Sequence, residues 1–304
     1  MNDEIQRFRY HRVLTACAMQ PWAVTAQHME VVRDVLLFQA SGGKLSDEEV
    51  ASIVSASRPG RAQSRGAVAV LSMRGTISHR IEAVQELSGA GGTSVERFRQ
   101  RFHSAVNDSN VSAIVVDVDS PGGAVAGVRE LADEIYAARG KKPMVAVANT
   151  LAASAAYWLG TAFPEFSVTD SGHVGSIGVF TMHQDVSKAL EKDGVAVTLV
   201  HAGKYKVEGN PFTALDQDAR DYLQAQVDST YEEFVGAVAR HRGASRKQVV
   251  SEFGEGRLVR AREAVDRGMA DRIETIEEAI QRLGGNAAPR RRRMAAAIAA
   301  AGVA

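Results

Sequence analysis

The chain has 304 residues, enough for one large domain with appendages or two small domains, and 45% of them are hydrophobic, enough for a substantial core. Its 36 basic and 36 acidic residues cancel, which argues against a general nucleic-acid binder or a polyanion. The single cysteine, Cys17, excludes an intramolecular disulfide framework and a multi-cysteine metal site, and it fits a reducing compartment.

The start, MNDEIQRFRYHR, carries charges of both signs, unlike a secretory leader. The apolar stretch that follows, VLTACAMQPWAV, contains Pro21 and falls short of the roughly 20 residues a membrane span needs. A soluble, cytoplasmic protein with no membrane partner is expected. Residues 1–56 read as a mainly helical extension, with Ser46 and Glu49 as a capping box and Val50, Ile53 and Val54 as an apolar stripe. Residues 57–66, SRPGRAQSRG, read as a linker.

From residue 67 to 285 strands and helices alternate. AVAVLSMRG predicts a buried strand, and TSVERFRQRFHSAV a helix with Thr93 and Glu96 as capping box and Phe98, Phe102 and Val106 on one face. AIVVDV (113–118) is a short continuous apolar run, as parallel sheets require. A helix is predicted over AVAGVRELADEIYAARG, then a strand over 144–148 and a helix around Ser154 in ANTLAASAAYWLGTA. Further strands are predicted near 166–169 and 196–200. A long helix then carries Leu223, Val227, Tyr231, Phe234 and Val238 on one stripe. A short helix, a turn at Gly268, a strand and a closing helix complete the pattern, an α/β architecture with largely parallel pairing. Residues 286–304, with four consecutive arginines before MAAAIAAAGVA, read as a flexible tail.

Three glycine-bearing turns follow predicted strands: DSPGG (119–123), GSIGV (175–179) and GKYKVEGNPF (203–212). Loops at the carboxyl ends of strands are where α/β proteins build sites. Gly122 and Gly123 allow a ligand close approach, and with their N–H groups at the start of the predicted helix they suit an oxyanion. Ser154, at a helix start among alanines, is a candidate nucleophile that needs an adjacent base. Histidine is one option, with His173, or His183 followed by Asp185, available for a Ser–His–Asp arrangement. Lysine is the other, with Lys204 and Lys206 as candidates, provided the amine is desolvated enough to be neutral.

DSPGG, TLAASAAYW, GSIGVF and AGKYKVEGNPF, in this order, resemble the signal peptide peptidase A family of serine peptidases (serine peptidase family 49) over roughly residues 65–280. KVEGNPF and the N-terminal extension look like the family's bacteriophage head-maturation or capsid-assembly branch. The resemblance implies a Clp protease/crotonase-like fold of stacked β-β-α units, homo-oligomers, and a Ser–Lys dyad with no cofactor and no metal. Carried onto this chain, it makes Ser154 the nucleophile and Lys206 the general base, with Ser176 as a hydroxyl that orients the lysine. Gly123 and Ala155 become oxyanion donors, and Gly122 and Gly175 line the substrate. It also implies that the serine and lysine of one site come from neighbouring subunits. In the phage branch the expected substrate is a scaffold protein or the chain's own C-terminal tail, digested inside an immature capsid beside coat and portal proteins. Three other readings stand beside it: a signal-peptide-peptidase-like protease of small peptides, a crotonase-type acyl-CoA enzyme, and a non-enzymatic capsid-interaction protein.

Overall fold

The computed structural model describes residues 21–25, 28–29, 63–65, 68–79 and 92–284. In chain order its strands are β1 (Trp22–Val24), β2 (Gln63–Arg65), β3 (Val68–Arg74), β4 (Ile77–Ser78), β5 (Thr93–Ser94), β6 (Ala113–Ser120), β7 (Gly122–Ala124), β8 (Met144–Ala153), β9 (Glu165–Val168), β10 (His173–Gly175), β11 (Leu258–Arg260) and β12 (Arg272–Ile273). The helices are α1 (Val95–Asn107), α2 (Val128–Ala137), α3 (Ala155–Thr161), α4 (Ser187–Lys192), α5 (Gln217–Arg242), α6 (Arg246–Glu252), α7 (Ala261–Asp266) and α8 over 276–284.

The main sheet runs β11-β10-β8-β6-β3-β2, with β9 also on β8 and β12 beyond it. Its centre, β3-β6-β8 with β9 and β10, is parallel; β2 and β11 join antiparallel. The continuous apolar runs explain this, because both faces are covered. Ile114, Val116 and Val118 of β6, with Met144, Ala146 and Ala148 of β8, pack under the helices α1, α2, α3 and α5. The alternate residues Ala113, Val115, Val145 and Val147 face Ala279 and Leu283 of α8. A second, four-stranded sheet runs β1-β7-β4-β5.

The helix that follows Ser154 is held from two sides. Trp158 stacks on Phe234 of α5, ring centroids 4.7 Å apart and planes nearly parallel, and both are fully buried. The Arg139 guanidinium donates to the carbonyls of Thr161, Ala162 and Phe163, satisfying groups that the C-terminus of a helix leaves unpaired.

Several expectations are corrected. Trp22–Val24, inside the stretch read as helical, is a strand, and Gln63–Arg65, inside the stretch read as a linker, pairs with β3. The α1 N-cap is Ser94, whose hydroxyl accepts from Arg97 N, while Thr93 donates to the Arg74 carbonyl. Gly122 and Gly123 lie in a strand, and α2 begins only at Val128, after Gly127 in the left-handed region. Residues 149–153 extend β8 rather than a helix. Residues 196–200 form no regular element and are exposed, because no strand among the described residues lies alongside them. Along α5, Phe234 and Val238 are buried, but Leu223, Val227 and Tyr231 are only half-buried. The Ser46 capping box, Cys17 and the 286–304 tail lie outside the described residues.

Candidate active site

Three carboxyl strand ends meet at one edge of the main sheet. β8 changes neighbour along its length: Val145–Ala148 pair with β9, and Leu151–Ala153 with β10. Ser120 of β6 pairs with Ala152 of β8. The loops leaving β6, β8 and β10 therefore converge, and these are three of the four segments the sequence singled out.

Ser154 is the hinge between β8 and α3, at φ 53 and ψ −118. Positive φ is rare for a residue with a Cβ and persists where its surroundings hold it. Here the Ser154 N–H donates to the Gly175 carbonyl (2.7 Å) and its own carbonyl accepts from Trp158 N (2.9 Å). The hydroxyl is turned to the Gly178 carbonyl at 3.4 Å, a long bond that leaves the oxygen weakly held. Ser154 is fully buried.

Gly122, at φ 97, lies against it: a Cβ on Gly122 would sit 3.0 Å from Ser154 Cβ, 3.0 Å from the Ala153 carbonyl oxygen and 2.2 Å from that of Ala23. A Cβ on Gly123 would fall 1.9 Å from the Ile77 carbonyl oxygen, so only glycine lets β7 lie this close to β4. The turn before them is tied by Ser120, whose hydroxyl accepts from Gly122 N (3.2 Å) and donates to the Gly75 carbonyl (2.6 Å). Any oxyanion donor at Gly123 is thus a strand N–H, not the helix-start N–H the sequence led one to expect. Ala155 is the first residue of α3, ahead of the first intrahelical bond. Gly175 (φ 106) ends β10, and Ser176 (φ 53, half-buried) donates its N–H to the Arg257 carbonyl (2.9 Å).

Lys206 is not brought to Ser154. It lies exposed in the turn 203–209, its N–H donating to the Gly203 carbonyl, and no hydrogen bond among the described residues joins it to the buried serine. Residues 201–206 are exposed, so among the described residues the base that Ser154 needs is not assembled within one chain. Lys204 is less suited: its amine bonds the Tyr205 hydroxyl (2.8 Å), which raises its pKa.

The histidine alternatives are not assembled either. His183 Nε2 donates to the Asn210 carbonyl (3.0 Å), and Asp185 is occupied by Ser187, whose bonds hold its carboxyl below the usual range. His173 lies in β10 between Leu151 and Arg260. No bond from any of these reaches Ser154.

One segment was not anticipated. Trp22–Val24 pair antiparallel with Gly122–Ala124, directly beside Ser154. The only local signal is a bulky, extended-favouring Trp-Ala-Val run after Pro21.

Residues 137–288 match the model of peptidase family S49. The chain is 38% identical over 213 residues to the capsid assembly protease C of Escherichia phage lambda, covering 70% of this chain and 48% of that protein. It is 32% identical over 256 residues to the head-tail preconnector protein GP5 of Enterobacteria phage P21, covering 84% of this chain and 50% of that one. The chain thus spans about half the length of these relatives. Among solved structures it is similar to ClpP1 of Listeria monocytogenes, at 15% identity and a TM-score of 0.40, over 68% of this chain and 91% of that one.

Proposed function

The chain belongs to peptidase family S49, and from that membership we propose that it is a serine endopeptidase whose Ser154–Lys206 dyad is completed between subunits. The observation that carries this reading is the pairing of a strained, buried Ser154 against Gly122 with a Lys206 left outside on an unpacked loop. That loop sits among uncovered apolar side chains: Val195, Val197, Leu199, Val200 (96% exposed) and Tyr205. A second copy seated on this surface would cover the apolar residues and desolvate Lys206, which favours the neutral amine a base requires.

The chemistry follows from the positions. Lys206 Nζ takes the Ser154 hydroxyl proton as Oγ bonds to a substrate carbonyl carbon. The N–H groups of Gly123 and Ala155 hold the developing oxyanion. The C–N bond breaks, Lys206 returns its proton to the leaving amine, and an acyl-enzyme remains. Water, deprotonated by the same lysine, then attacks the ester and frees Ser154. Ser176 orients the lysine amine, and Gly122 and Gly175 let the substrate backbone lie close.

The substrate is a polypeptide. The capsid assembly protease among the relatives supports a capsid under assembly as the setting, and on this reading the natural substrate is a scaffold segment or the chain's own tail beyond residue 285. Mixing tests the central feature. Ser154→Ala and Lys206→Ala are each expected to be inactive alone, and mixed subunits to regain up to about a quarter of wild-type peptidase activity. No recovery in mixed oligomers, verified by mass, would overturn a dyad shared between subunits.

A further inference from the structure

The unanticipated strand β1 occupies the ground a substrate would need. Ala23 lies opposite Gly123, Val24 opposite Gly122 and Trp22 opposite Ala124. On its other edge Trp22 exchanges both backbone bonds with Phe180, N to O at 2.8 and 3.0 Å. The segment is therefore a strand laid between the Gly122–Ala124 backbone and the backbone that follows Ser176. Those are the two walls on either side of Ser154.

Its register is specific. Thr25 N donates to the Pro121 carbonyl. Bonded pairs alternate along an antiparallel ladder, so the next exchanging pair is Ala23 with Gly123. That alternation aims the Gly123 N–H at the Ala23 carbonyl. The point 2.2 Å from that carbonyl oxygen is also 3.0 Å from Ser154 Cβ. Ala23 and Ser154 are both without solvent exposure. Trp22 and Val24 anchor the strand in a small apolar cluster with Met29, Ala124 and Phe180.

We propose that Pro21–Thr25 is a built-in occupant of the substrate channel, lying as a substrate lies with Ala23 where the attacked residue would be, so that a substrate must displace it. The inference rests on Ser154 as nucleophile and Gly123 as oxyanion donor. The small Ala23 fits the enclosed position, and Trp22 fills the place before it. A tethered occupant acts at millimolar effective concentration, so it competes with substrate without altering the chemical step. It raises KM and leaves kcat alone.

The test is peptidase kinetics on the full chain, with Ala23→Arg, which places a charge in the enclosed position, and Trp22→Ala, which removes the anchor. Both are expected to lower KM at least tenfold with kcat within twofold of wild type. A synthetic peptide of residues 20–27 should inhibit Ala23→Arg competitively. Unchanged or raised KM in both variants, or a loss of kcat in both, would make β1 merely structural and overturn the proposal. A second readout is independent of turnover. In Ser154→Ala, an unfolded Ala-rich polypeptide should increase acrylamide quenching of Trp22, measured against the buried Trp158; no increase overturns the proposal. Activity that survives Ser154→Ala would instead sink the nucleophile assignment beneath it.

Discussion

Substituting Gly123 by alanine separates the roles of fold and site. The new Cβ would stand 1.9 Å from the Ile77 carbonyl oxygen and 2.6 Å from both Ile77 N and C, where ordinary contact begins near 3.4 Å. These are backbone atoms of β4, itself tied to β5, so no side chain can swing aside. The two strands must part, and overpacking of this kind costs about 1–3 kcal/mol of stability. On the proposed mechanism the displaced N–H also leaves the oxyanion position, and losing one such donor costs about 3 kcal/mol of barrier, roughly two orders of magnitude in kcat. Gly140→Ala is the control: its φ of 141 strains an alanine, but its Cβ meets nothing within 4 Å and it lies away from the site. We expect urea titration to find both variants folded and destabilised, with peptide-hydrolysis kcat falling about 100-fold only for Gly123→Ala. A folded Gly123→Ala with kcat within about threefold of wild type would refute the oxyanion assignment.

On the proposed dyad a free amine acts as base, so kcat/KM should rise with pH between about 6 and 9; a flat profile would point away from lysine. His241 is buried on Thr161 and stacked on Tyr136, and burial, reinforced by Arg240 and Arg139, pushes its pKa down to about 3. The unfolded chain takes up this proton below about pH 6.5 while the native chain refuses it. Stability should therefore be complete above pH 6.5 and fall as pH drops towards 3, by up to roughly 1.4 kcal/mol per pH unit. His241→Gln should flatten that slope in urea titrations, and an unchanged slope would contradict the assignment. Phe234→Ala removes the ring stacked on Trp158, and a loss of about 3–5 kcal/mol is expected in chemical denaturation, against less than 1 kcal/mol if the site refills.

Legibility in the sequence followed the range of the interaction. The central strands β3, β6, β8 and β9 were visible as apolar runs, and the turns that follow β6 and β10 as glycine-bearing segments, because those signals are local. Ala152 and Ala153 read as helix by composition, yet pairing with β10 makes them strand. Gly122–Ala124 read as a helix start, but β4 and β1 recruit them into a second sheet. Trp22–Val24 were read within a helical stretch, since the partner that makes them a strand lies about a hundred residues away. The apolar run 196–200 was read as a strand, but no strand among the described residues lies beside it. Lys206 was singled out by its motif, and its exposure became visible only in three dimensions.

The most direct test of the peptidase assignment is intact-mass spectrometry of the purified protein, incubated alone and with an unfolded Ala-rich polypeptide, for wild type, Ser154→Ala and Lys206→Ala in parallel. The account predicts fragments in wild type that vanish in both variants. Fragments that persist in Lys206→Ala but not in Ser154→Ala would contradict the lysine base, and fragments that persist in Ser154→Ala would contradict the serine nucleophile.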